Sequence, residues 1–325
     1  MTGKYCYISF GLLGFISCAT VHAACSSTCP VSTHWDIYGP AQPGWNVDLL
    51  YSYSRADTLR SGSNKISANT GQAEVENLGT VNKMMAARAD YTFNEHWGIA
   101  LHVPYIMRQH EHNLGPYTGN TPAGYESFDA SGLGDVKLIG RYQRPLENSS
   151  SEMGVRFGFK LNTGKKYFTF EQSGEIPGEP ALQPGNGSTD LILGVFWHQV
   201  IHGSDWSGFA QGTLQDSIRS RDNFTPGNQV NLDGGTRYAI NSSLHALLQL
   251  NAQWNDTDSG SAASLTPTGE ASSGGHSLAL TPGLSYSLAP GTQLYGLLQL
   301  PLYQYVNGEQ LTADSSFSLG LNHRF

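Results

Sequence analysis

The chain reads as all-β: a transmembrane, antiparallel, up-and-down β-barrel of about twelve strands. Apolar and polar residues alternate in segments of about ten residues, the length a tilted strand needs to cross a bilayer. Short and long connections between these segments alternate strictly. Trp, Tyr and Phe gather at segment ends, where amphipathic rings sit at the headgroup level of a membrane. Beyond the amino-terminal region no apolar run is long enough for a helical span.

Each strand follows from its own alternation. The first, 45–55, sets Trp45, Val47, Leu49, Tyr51 and Tyr53 on one face. The second, 83–93, presents Met85, Ala87, Ala89, Tyr91 and Phe93, and the third Trp97, Ile99, Leu101, Val103 and Tyr105. The fourth carries Leu138, Gly140 and Tyr142; the fifth carries Met153, Val155, Phe157, Phe159 and Leu161. The sixth, 189–199, exposes Leu191, Leu193, Val195 and Trp197. The seventh starts at Trp206 and is ambiguous in phase, with either Trp206, Gly208 and Ala210 or Phe209 facing outward. The eighth covers 230–240. Leu244, Ala246, Leu248, Leu250, Ala252 and Trp254 mark the ninth, and Leu278, Leu280, Leu284 and Tyr286 the tenth. Leu294, Leu298, Leu300 and Leu302 mark the eleventh. The last puts Phe317, Leu319, Leu321 and Phe325 on one face and Ser318, Gly320, Asn322 and Arg324 on the other.

Connections at 94–96, 145–152, 201–205, 241–243 and 289–291 are short; those at 55–82, 109–131, 164–188, 217–229, 256–275 and 305–313 are longer and polar. Periplasmic turns and outward loops produce this alternation, and an even strand count puts both ends of the barrel at the periplasmic rim. Trp45, Phe93, Trp97, Tyr142, Trp197, Trp206, Tyr238, Tyr286 and Phe325 fall at that rim; Tyr53, Tyr105 and Trp254 fall at the other. In lipid an edge strand finds no partner for its peptide groups, so the sheet is expected to close.

Lys4, the apolar stretch 5–19 and Val21-His22-Ala23 predict a signal peptide over 1–23. A short periplasmic or lumen segment, 24–44, and the barrel, 45–325, complete the expected organisation, which places the chain in the cell outer membrane. The final strand ends on the aromatic Phe325, in the manner of a sorting signal for the outer-membrane insertion machinery. That machinery, outer-membrane lipid and a small-molecule solute are the expected partners. A net charge of −8 argues against nucleic acid. Glycine at 38 of 325 residues suits a turn-rich β chain, and a mean hydropathy of −0.31 is what lipid-facing and lumen-facing residues average to.

Cys25 and Cys29 would be the cysteines left after cleavage. In an oxidising compartment a pair four apart predicts a disulfide. With His34 the pair also offers two thiolates and an imidazole to copper or zinc. No cofactor is expected.

The inward phase of the strands is polar. Arg88, Asp90, His102, Asp135, Lys137, Arg141, Arg156, Lys160, Asp233 and Arg237 are the expected pore-lining residues, with Asp48, Arg108, His245, Gln249, Asn251, Gln299 and Arg324 in the same phase. Lys137, Arg141, Arg156 and Lys160 lie on neighbouring strands and form a basic strip that would attract anionic or polar solutes. The alternative is an internal network of ion pairs that fills the barrel. Twelve strands lie between the roughly eight that side chains can fill and the roughly sixteen that leave an open channel. A narrow lumen gated by the long loops is therefore expected, passing small solutes passively. A structural or metal-handling barrel is the other reading.

Other motifs carry less chemistry. His110-Glu-His112, in an expected loop, offers two imidazoles to a transition metal or is solvated surface. Ser273-Gly-Gly-His276 is a compact Ser/His cluster without an ordered third member, so no enzyme is expected. Gly185-Asn-Gly187 precedes a strand rather than a helix, which makes it turn chemistry and not a phosphate cradle. Gly132-Leu-Gly-Asp135 reads as a loop-to-strand hinge.

Five segments follow one another in a telling order: Gly132-Leu-Gly-Asp-Val-Lys137, Lys160-Leu-Asn-Thr-Gly164, Gln183-Pro-Gly-Asn-Gly-Ser-Thr-Asp190, Ser273-Gly-Gly275 and Leu298-Gln-Leu-Pro-Leu-Tyr303. In order and spacing they resemble the outer-membrane family named for the meta-pathway of phenol degradation, over about 97–325. Asn162 stands where that family tends to carry proline. The resemblance implies an outer-membrane β-barrel that admits aromatic or other organic compounds. It also implies relatives with Cys clusters just after the signal.

Overall fold

The computed structural model describes residues 43–71, 74–146, 150–169, 171, 180–201, 203–220, 223–260 and 273–325. The expected signal peptide over 1–23, nearly all of the 24–44 segment, and with them Cys25, Cys29 and His34, lie outside the described residues.

The alternating segments are strands of one antiparallel sheet: β1 (Gly44–Gly62), β2 (Asn64–Lys65), β3 (Glu74–Thr92), β4 (Trp97–Leu114), β5 (Gly124–Leu133), β6 (Lys137–Pro145), β7 (Ser150–Lys160), β8 (Thr189–Val200), β9 (Trp206–Arg219), β10 (Gln229–Ala239), β11 (Leu244–Asn255), β12 (Gly275–Ala289) and β13 (Thr292–Arg324). β1 pairs with β13, from Asn46 against Arg324 to Gly62 against Val306, so the sheet closes on itself. β5 and β6 bond in succession to the outer and inner parts of β4 and make one interrupted span. β13 makes two spans, since 292–306 bonds to β12 and 306–324 to β1. With β2 a two-residue flap on β1, the wall is twelve spans round.

The burial pattern is that of a barrel in lipid. Leu49, Met85, Leu101, Phe157, Leu193, Leu250 and Leu319 are exposed on the outer face, while Asp48, Arg88, Gln249 and Ser318 are buried. On β9 the phase is settled: Trp206 and Leu214 face out and Phe209 is inward. Rings at the short-turn rim pair across strands, with centroids 4.8 Å apart for Trp45–Tyr91, 4.9 Å for Trp97–Tyr142 and 4.8 Å for Trp206–Tyr238. Two of the short turns share one device. Asn94 Oδ1 accepts from the amides of His96 and Trp97, and Asn241 Oδ1 from those of Ser243 and Leu244.

The long-loop side departs from expectation. β1 continues to Gly62 and β3 begins at Glu74, inside the expected loop 55–82. β4 continues to Leu114 and bonds to β5 inside the expected loop 109–131. β13 runs unbroken through 305–313. The change from apolar to polar side chains marks where lipid ends. Peptide groups gain from pairing on either side of that boundary, so the strands run on past it.

Candidate functional site: the barrel interior

Three of the Gly-rich segments converge on Asp135, in the break between β5 and β6. Its carboxylate accepts from the Gly164 amide (2.9 Å), the Asn186 amide (3.3 Å) and Lys160 Nζ (3.0 Å). Lys160 Nζ also reaches Asp190 Oδ2 (3.2 Å) and donates to Ser188 Oγ (2.8 Å) and to Asn186. Gly164 and Gly185 touch back to back: a Cβ on Gly164 would lie 2.5 Å from the Gly185 Cα. The hinge reading of 132–135 is thus half of its role, the other half being to anchor the ends of the 161–188 connection.

The described parts of that connection, 161–169, 171 and 180–188, fold into the barrel mouth. Leu182 packs in a buried cluster with Ala56 and Leu59 of β1, Phe128 and Ala130 of β5, and Leu311 and Ala313 of β13; Phe168, Ile66 and Ala68 cover it. β7 and β8 lie nearly across the ring from the β1–β13 seam, so Leu182 and Phe168, on the described ends of the connection, reach over the lumen toward that seam. Arg108 donates to Ala181 O, Gln183 and Phe168 exchange bonds of 3.0 and 2.9 Å, and Ser127 donates to Glu171 (3.2 Å). Deeper in, Leu50, Ala86, Leu247, Tyr295 and Leu297 form a second buried apolar cluster. The Tyr295 ring occupies the space a Cβ on Gly320 would need, and its hydroxyl donates to Asp48 (3.0 Å).

Eight of the ten expected pore-lining residues form three groups. Arg88 (3.1 Å) and Arg141 (3.3 Å) share Asp90, and Arg141 also donates to Thr92 (2.7 Å). Lys160 and Asp135 belong to the anchor above. Arg156 donates to Gln211 (2.8 Å), which donates to Asp233 (2.9 Å), which accepts from Asn251 (2.7 Å); Thr281 donates to Asn251. Lys137 donates to Gln215 (3.1 Å), and Gln215 to Asp190. The strip of four cations is therefore interleaved with acceptors: Arg141 and Lys160 are ion-paired, and Arg156 lies 4.2 Å over the Phe196 ring. Arg237 is on β10, with Cα partner Leu247. His102 stands between Arg88 and Lys137 in the rung β3–β4–β6. Asp190, Gln211 and Gln215 share the inward phase, a signal that alternation could have supplied. Nothing in the alternation marks Leu182 or Phe168.

His110 and His112 lie on β4, not on a loop as expected. Both are buried. Thr80 Oγ1 is 2.8 Å from His110 Nδ1, His110 Nε2 is 3.2 Å from His112 Nδ1, and His112 Nε2 is 3.4 Å from Glu126. With the proton of His110 on Nε2, donation runs from Thr80 Oγ1 to His110 Nδ1 and from His110 Nε2 to His112 Nδ1, while His112 Nε2 only lies near the Glu126 carboxylate. Among the described residues no group of three or more His, Cys, Asp or Glu is arranged to hold a metal ion. Ser273 and His276 point to different places. Ser273 Oγ accepts from the Asp258 amide (2.8 Å), while the His276 ring stacks on Tyr305 at 4.8 Å.

Closed wall, apolar outside and polar inside leave one architecture. The fold is that of an outer-membrane β-barrel. It is similar to an outer-membrane channel from Pseudomonas putida F1, with a TM-score of 0.62 at 13% identity over 89% of this chain and 98% of that one. A Pseudomonas aeruginosa FadL homologue (TM-score 0.45, 10% identity, 87% and 90% covered) and a TodX monoaromatic hydrocarbon channel mutant (0.47, 10%, 89% and 93%) are more distant in shape. No family model and no curated protein sequence matches the chain.

Proposed function

We propose that the chain is a passive outer-membrane channel for small organic solutes, aromatic ones among them. The observation that supports this reading is an amphipathic lumen behind an inward-folded connection. An apolar mouth around Leu182 and Phe128 gives way to a second apolar cluster around Leu50 and Leu297, on an interior otherwise lined by the charged groups of β3 to β8. A wide porin of water-filled bore has no use for apolar interior clusters. A solute with a ring and a polar substituent meets complementary surface at each level. In this reading Arg88, Asp90, His102, Asp135, Lys137, Arg141, Arg156, Lys160, Asp233 and Arg237 border the path, and the 161–188 connection sets its width. The resemblance to the phenol-degradation family points the same way.

Swelling of proteoliposomes in arabinose and in phenylalanine tests this. Both solutes should enter faster than into protein-free vesicles, and the paired change Phe168→Gly and Leu182→Gly should speed entry severalfold by opening the mouth. Nil entry with both proteins would establish the second reading, a structural barrel, which the ion pairs of Arg141 and Lys160 favour.

A further inference from the structure

The lipid-facing side of the wall carries a hollow. Ala210, Gly212 and Gly234 floor a groove of about 600 Å3, bordered by Trp197 of β8 on one side and by Leu250 of β11 and Leu278 of β12 on the other. Across the strands the Cα partners run Trp197, Ala210, Gly234 and Leu250, so two small residues stand between two large ones on a single rung. One step further along the same face of β9, Gly208 prolongs the groove.

The barrel itself does not require these glycines. Gly208 and Gly234 lie inside strands, and a Cβ on either would find its nearest atom at 3.5 Å (Gly235 O) and 3.8 Å (Phe209 O), an ordinary contact. Gly140, also on the outer face, is different, since a Cβ there would lie 2.8 Å from the Phe157 ring. Glycine inside a strand weakens it and marks places where another backbone comes close. Acyl chains are fluid and follow any surface, so they give no reason to withhold side chains at Gly208 and Gly234. A partner of fixed shape does, because small residues let two backbones approach each other in lipid.

We propose that this face pairs two copies of the chain in the membrane. A ridge of exposed Leu248, Leu250 and Leu278 lies beside the groove, on the next two strands. A two-fold axis along the membrane normal, passing between β10 and β11, lays the ridge of each copy in the groove of the other. That is the self-complementary contact that closes a dimer. The four strands β9 to β12, at a spacing of about 4.8 Å, are about 19 Å wide, and the apolar band is about 25 Å tall. The pair covers about 1,000 Å2 in all, near the lower bound of a specific interface. Single folded barrels keep this face in hydrocarbon, so the pairing is a reversible association within the bilayer. It does not depend on what the lumen passes.

Sedimentation equilibrium of the folded full chain in density-matched neutral detergent tests it. As the ratio of protein to detergent rises, the species should shift from monomer to dimer and stop there. Gly234→Leu and, separately, Gly208→Leu, for which the barrel has room, should each raise the dissociation constant at least tenfold. Adding Leu250→Ala to Gly234→Leu, which moves bulk from the ridge to the groove, should recover part of the loss. Ala87→Leu, on the outer face of β3 at the far side of the wall, should change nothing. The heat-modifiable gel shift of folded barrels confirms that each variant is native. A monomer at every ratio would mean that only lipid or detergent fills the groove, and overturns the pairing. So do unchanged association in both glycine variants, no recovery in the double variant, equal weakening by Ala87→Leu, or growth beyond the dimer.

Discussion

Asp314 and Lys65 show what single charges do beyond the bilayer. Asp314 lies three residues outward of the Phe317 ring on β13 and accepts from Lys65 Nζ on β2 (2.8 Å) and from Thr58 Oγ1 (3.2 Å). The Lys65 hydrogen bond pulls its carboxyl below the ordinary carboxylate range, partly opposed by burial. A carboxylate with a depressed folded value stabilises the docked form above its unfolded value, near about 4, and that contribution is lost as pH falls through the lower folded value. The β2 flap should therefore stay docked at neutral and mildly acidic pH and loosen only below about pH 4, while Lys65→Met should loosen it at neutrality. Amide exchange at 64–66 measures this, and protection that is the same at pH 7 and pH 3 would remove the ion pair as its cause. Neither partner was legible in the sequence, because they are 249 positions apart and meet only through the β1–β13 seam. His110 and His112 were legible as a pair and misplaced as a loop, since their polar side chains say nothing about whether the backbone beneath them is bonded.

Among elements, the anchored connection 161–188 matters most. Gly132–Lys137, Lys160–Gly164 and Gln183–Asp190 are visible in the sequence as punctuation around strands, each reading locally as a turn. Their meeting at Asp135 is a fact of three-dimensional register, and alternation carries only phase. Lys160→Met leaves Asp135 and Asp190 buried without their cation, a change that typically costs about 3–5 kcal/mol. It should lower the urea midpoint of the folded barrel and speed arabinose entry in swelling assays. If neither changes, Lys160 does not hold the connection in place. The connection's apolar contact, Leu182, had no counterpart in the expected set because a lone leucine among polar loop residues has no period to betray it.

For the molecule as a whole, most strand phases and the short turns follow from the alternation because lipid imposes it, the phase of β9 being settled only by the fold. Leu250, midway along β11 on the outer face, should therefore tolerate Leu250→Phe with little change, whereas Leu250→Arg should cost about 2–4 kcal/mol in folding free energy measured in bilayers. An equal, small effect of both would mean that this face does not meet hydrocarbon. The contents of the lumen were legible as a list of residues but not as partnerships. Which carboxylate serves Lys160 or Arg141 depends on the stagger between strands, and a period of two is silent about stagger. The seam between β1 and β13 has one more consequence, for biogenesis. The strand that completes the cylinder follows every other strand of the wall in chain order, and its mate is the first of them. A chain terminated early keeps two raw margins of peptide N–H and C=O that hydrocarbon cannot satisfy. Integration is then an all-or-none event, and prematurely ended products stay in the aqueous compartment, within reach of proteases.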